Sequence, residues 1–241
     1  MIETFNGLIL TEVKYGETSK IINVLTDKFG LVGIHAKGAR SLKSPFRNAT
    51  NKLILNEFIV KYNKDKLSNL KEINIINNFK NIKKDIEKIG YASLLLDLTN
   101  QVIKHGSSDN LFYNLSNALI KIDEGLNPNV ITIIVMLKYL DNLGVAPVLD
   151  CCLECGNTNI ATISSYRGGF VCKNCLKDEE IMSEKAIKLL RMFYLVDIKK
   201  IDKIEVNKDI IKELENFIED YYNRYTGLYL KSKDFLNEIK K

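Results

Sequence analysis

The 241-residue chain has no tryptophan, two histidines and three prolines. With so few histidines, the side chain most often used for acid–base work near neutral pH is nearly missing. His35 falls in an alternating, strand-like run and His105 at the end of a helical one, and both read as structural. No GxxxxGK[ST] occurs, which excludes a P-loop nucleotide site. Zinc deaminases use H-x-E with P-C-x-x-C. Here His35-Ala36-Lys37 lacks the glutamate and neither CxxC follows a proline, so that class is excluded as well. No apolar run approaches the ~20 residues of a membrane helix. The first residues, Met1 to Asn6, carry neither the basic region nor the apolar core of a secretory signal. The expectation is a protein of the reducing cytoplasm, without membrane contact and without a catalytic centre.

Acidic residues are also missing from one long stretch. From Lys28 to Asn56 there is none, while Lys28, Lys37, Arg40, Lys43, Arg47 and Lys52 all fall there. The net charge of +5 is therefore uneven. Residues 1–80 hold 13 Lys and Arg against 7 Asp and Glu, and the remainder 22 against 23. A basic module on a neutral body points to a polyanionic partner.

The first 78 residues read as five short strands, over Phe5–Val13, Lys20–Thr26, Leu31–Ala36, Leu53–Tyr62 and Leu67–Ile76, with a long polar loop from Lys37 to Thr50. Five short strands in this length suit a small closed barrel, an OB-fold or an SH3-like barrel. Beyond Asn78 the apolar period becomes helical. Ile82, Ile86 and Ile89 are expected on one helical face, continued by Leu94, Leu95, Leu98 and Val102. Leu111, Leu115, Leu119 and Ile122 form a second stripe. Asn127-Pro128 signals a helix start, and Gly144 its stop. Ser183 opens a further helix, another spans Lys208–Tyr222, and a last one lies near Ser232–Lys240. The fold class is thus α+β multidomain, with a barrel over 1–78, helical segments over 79–150 and 177–241, and a cysteine-rich insert over 151–176.

Cys152-x2-Cys155 and Cys172-x2-Cys175 are separated by 16 residues. Two such turns brought together offer four thiolates in a tetrahedron, which suits one structural Zn²⁺, and the spacing is that of a zinc ribbon. Gly156 permits a tight turn after the second cysteine. Cys151 offers a competing three-residue spacing to Cys155. Four thiolates leave no open position, so a catalytic zinc is not expected. Asp178-Glu179-Glu180 precedes the Ser183 helix and is expected to favour the positive end of its dipole.

The candidate nucleic-acid contacts are Lys28, Lys37, Gly38, Arg40, Lys43 and Arg47. Phosphates need cations that approach closely, and a glycine lets the backbone approach too. Phe46, Phe29 or Tyr15 would stack on unpaired bases, although Phe46 also reads as a plug for the barrel core. An RNA-binding or transcription-associated barrel with a zinc ribbon is the alternative function.

Several runs together resemble a known family. Gly7-Leu8-Ile9-Leu10, Tyr15-Gly16-Glu17-Thr18-Ser19, Leu25-Thr26, Gly30-Leu31 and Ala36-Lys37-Gly38-Ala39-Arg40 are similar to the start of the bacterial recombination mediator RecO family. Cys152-x2-Cys155-Gly156, then Gly168-Gly169-x2-Cys172-x2-Cys175, resembles its zinc module. Gly227-Leu228-x-Leu230-Lys231-Ser232-x2-Phe235-Leu236 is similar to its C-terminal motif. The resemblance implies an N-terminal OB-fold, a helical domain and an inserted zinc module. It also implies binding of single- and double-stranded DNA and annealing of complementary strands on the bacterial nucleoid. Partners would be RecR and the acidic C-terminal tail of the single-strand-binding protein (SSB), and the outcome would be loading of RecA onto SSB-coated DNA.

Overall fold

The computed structural model describes residues 1–239; the expected helix end at Lys240 lies outside them. Five strands form the N-terminal part: β1 (Ile2–Tyr15), β2 (Ser19–Thr26), β3 (Gly30–Ala36), β4 (Leu55–Lys61) and β5 (Ser68–Asn77). They close into a barrel in the order β1-β2-β3-β5-β4, with β4 returning to β1. The neighbours are antiparallel except β3 and β5, which pair in parallel at Ile34–Ser68 and His35–Asn69. This closed five-stranded order is that of an OB-fold.

Strand β1 is long enough to serve two partners, β4 with its first half and β2 with its second, and its register shifts between Ile9 and Thr11. Leu8, Ile9 and Leu10 are all buried. Ile9 points into the barrel with Phe5, Val24, Ile34 and Phe58. Leu8 and Leu10 instead join Leu25, Leu53 and Leu55 in the core shared with the helices. A strand covered on both faces reads as a continuous apolar run, as Gly7-Leu8-Ile9-Leu10 does.

The polar loop after β3 holds a short helix, α1 (Phe46–Ala49), that sequence reading missed. The Phe46 ring is half-buried against the barrel core, so the plug reading holds and the ring is not free to stack on a base. The expected Ile82–Ile86–Ile89 stripe is also corrected. Ile82 sits in a separate 3-10 turn, pinned where the Asp123 carboxylate accepts its N–H at 2.9 Å. The chain extends at Asp85, whose carboxylate accepts the N–H groups of Glu87 and Lys88 and starts α2 (Ile86–His105) afresh. Ile86 is consequently exposed at 57%.

Helices α3 (Leu111–Asp123) and α4 (Pro128–Asn142) follow, and Asn127 caps α4 by accepting from the amides of Asn129 and Val130. After the cysteine insert come α5 (Glu184–Leu195), capped by Ser183, then α6 (Lys208–Tyr225) and α7 (Lys231–Ile239). One core cluster joins α2 to α6, with Leu236 of α7 packed at Gly90 of α2.

Candidate metal centre and nucleic-acid interface

The cysteine insert is built on a two-stranded hairpin, β6 (Ile160–Ser164) and β7 (Gly169–Cys172). Its strand β7 carries Cys172 at its end, and a 3-10 turn, Lys173–Cys175, brings Cys175 back beside it. The first CxxC turn is closed by Gly156 N–H donating to the Cys152 carbonyl at 2.9 Å, with Gly156 at φ +73°, where a side chain would be strained. Leu153 N–H donates to the Phe170 carbonyl at 2.9 Å, which ties this turn to β7. The hairpin is anchored to the segment after α4 by Val148, whose carbonyl would lie 2.7 Å from a Cβ at Gly169.

These contacts bring the Sγ atoms of Cys152, Cys155, Cys172 and Cys175 within 4.8 Å of one another. Cys155 and Cys172 are 3.5 Å apart at sulfur. A Zn–S bond of ~2.3 Å in a tetrahedron separates the sulfurs by about 3.8 Å, so the four thiols fit one such ion. Cys151 is not part of the cluster.

The electrostatics point the same way. The N–H groups of Cys155 and then Cys172 hold the Cys152 thiol down to about 6. Cys175 is pushed up, first by its hydrogen bond with the Cys155 thiol and then by burial. One thiolate is stabilised and its neighbour kept protonated, because charges this close cannot all form without a cation.

Sequence reading missed one residue of this centre, Arg167. Its guanidinium pairs with Glu154, between the first two cysteines, and with Glu179 at 2.8 Å, beyond the last two. This corrects the expected role of the carboxylate run. Glu179 turns back to Arg167 and to the Lys177 amide, 2.8 Å away, rather than towards α5. The α5 start is served by Ser183 and by Glu184 in its first turn. Both Arg167 contacts are more than ten residues distant in sequence, so no local spacing announces them.

The six candidate nucleic-acid residues fall in two places. Lys37, Gly38, Arg40, Lys43 and Arg47 lie in one loop. Gly38, at φ +70°, turns the chain so that Ala39 is buried in the barrel core while Lys37 is exposed. The loop is stitched to the β1–β2 hairpin tip, where Arg40 N–H donates to the Thr18 carbonyl at 2.7 Å and its guanidinium to the Gly16 carbonyl at 3.2 Å. At its far end Lys20 bridges Glu12, the Thr50 carbonyl and Asn51. Between these ties Leu42, Lys43 and Arg47 are exposed. Lys20 and Glu12 thus shape the loop, and sequence reading had not singled them out.

Lys28 lies apart, in the β2–β3 turn, its ammonium donating to the Thr4 carbonyl at 2.7 Å. The register Lys20–Ala36 to Thr26–Gly30 places that turn about 20 Å from the basic loop, at ~3.3 Å per residue. The aromatic candidates divide likewise. Tyr15, 54% exposed, meets His35 edge-on at 5.3 Å, and Phe29 stacks on Tyr62 at 4.5 Å.

Two family models cover nearly the whole chain. Recombination protein O N terminal matches residues 1–79, and Recombination protein O C terminal matches residues 83–234. The chain is 30% identical over 245 residues to the DNA repair protein RecO of Listeria monocytogenes serotype 4b, covering all of this chain and 96% of the relative. It is 31% identical to that of Halalkalibacterium halodurans, with 96% of the relative covered, and 29% to that of Bacillus pumilus, with 95% covered. A closed OB barrel, a helical body and a four-cysteine cluster thus occur along a chain that these comparisons match from end to end: the protein belongs to the RecO family.

Proposed function

We propose that this protein acts in DNA repair as a recombination mediator, binding single- and double-stranded DNA and annealing complementary strands. With RecR it would help load RecA onto SSB-coated single strands, with the acidic SSB tail as a docking partner. In that role it would act on the nucleoid, in the bacterial cytoplasm.

The observation that supports the reading most is the loop from Lys37 to Arg47, fastened at both ends to a closed barrel with its cations outward. Phosphate contacts of this kind neutralise charge without reading sequence. Annealing needs only that charge neutralisation and the close approach of two strands, so no catalytic centre is required. Tyr15 presents a ring beside the loop on which a base can stack. Cys152, Cys155, Cys172 and Cys175 would hold Zn²⁺, which with four sulfur ligands braces the insert and offers no open coordination position.

Binding of a labelled mixed-sequence single strand tests the reading. The triple variant K37E/K43E/R47E is preferred to one containing Arg40, because Arg40 also holds the hairpin tip. It is expected to bind more weakly. For wild type, affinity should fall by about 0.7 log units per log unit of salt for each phosphate contacted. Unchanged affinity in the triple variant, or preference for structured RNA over single-stranded DNA in competition, overturns the assignment.

A further inference from the structure

Arg167 belongs to neither CxxC turn, yet its guanidinium reaches both. One arm pairs with Glu154, between Cys152 and Cys155. The other donates to the Cys175 carbonyl at 3.0 Å and to Glu179 at 2.8 Å. The Arg167 and Glu179 side chains are only 11% and 12% exposed.

We infer that Arg167 is a positioning residue of the metal centre, locking the two cysteine turns into one preformed pocket and offsetting the negative charge that metal loading leaves there. The inference rests on the reading of the four cysteines as a zinc site. Four thiolates around Zn²⁺ total two negative charges, and Glu154 and Glu179 add two more around the cluster. Among the described residues, Arg167 is the cation whose side chain pairs with both carboxylates. The Lys177 ammonium pairs with Glu154 alone among the described residues, at 3.8 Å, and its side chain is 69% exposed. The planar fork of arginine engages two acceptors at once in fixed geometry, which a lysine ammonium does not. The bond to the Cys175 carbonyl fixes the backbone of a ligand directly. Partners of this kind, one step outside the ligands, set metal affinity by about 10–100-fold.

The test uses the full chain in two measurements, zinc affinity by competition with a chromogenic chelator and the alkylation rate of the thiols in metal-free protein. R167A is expected to weaken zinc binding by about 10–100-fold while still taking up one ion per chain, and to alkylate faster than wild type. R167K, keeping a charge but losing the fork, should fall between the two. R167A/E179Q should regain part of the lost affinity, because no carboxylate stripped of its arginine is then left beside the Cys175 turn; a role in packing alone would give no such relief. Zinc affinity in R167A within twofold of wild type, or a loss untouched by E179Q, overturns the proposal. If R167A does not fold, R167K carries the test, and wild-type affinity there overturns it. If wild type takes up no zinc, the metal reading fails by itself and the clamp is judged on alkylation, where equal rates in wild type and R167A would refute it.

Discussion

Cys151 and Cys152 are neighbours in sequence and differ in placement. The Cys152 amide donates to the Asn157 carbonyl at 2.8 Å, and its buried sulfur joins the four-sulfur cluster, while Cys151 stays outside it. C151S should therefore retain about one zinc per chain after dialysis, and C152S should lose it, as read by elemental analysis. Equal retention in both would remove Cys152 from the ligand set. At this scale, what could be read in the sequence was what is local. Asn127 and Ser183 cap their helices through amides two or three residues away, and their side-chain types announce it. Arg167 and Lys20 could not be found this way, because their partners are brought close only by the hairpin and by barrel closure.

The elements show the same division. All five strands were expected close to where they occur, because turn residues bound them and their inward positions are apolar. The start of α2 was not, since Ile82, Ile86 and Ile89 have helical spacing but Asp85 interrupts the helix and caps a new one. Strand β1 contributes side chains to both cores. Leu8 is fully buried in the core shared with the helices, so Leu8→Ala should cost about 2–5 kcal/mol. Urea unfolding of the full chain measures it, and a loss below about 1 kcal/mol would mean that the outer face of β1 contributes little.

At the scale of the whole molecule, the cations expected to meet DNA and the sulfurs expected to meet metal lie on different structural units, the barrel and the insert between α4 and α5. Removing zinc with a strong chelator should lower the melting temperature, since a ligand bound only by the folded state stabilises it. It should leave single-strand binding near its original value at temperatures where the chain stays folded. Binding abolished with the fold intact would tie the metal to the DNA surface. The charge asymmetry behind this division was visible in composition, but the distance of Lys28 from the other cations was not, because only the strand register shows that the acid-free stretch wraps around the barrel. The double burial of β1 has one more consequence. A fragment cut after residue 78 would present Leu8, Leu10, Leu25, Leu53 and Leu55 to water as one apolar patch. The barrel is therefore not a portable cassette, and grafted or expressed alone it should clump unless those leucines are first made polar.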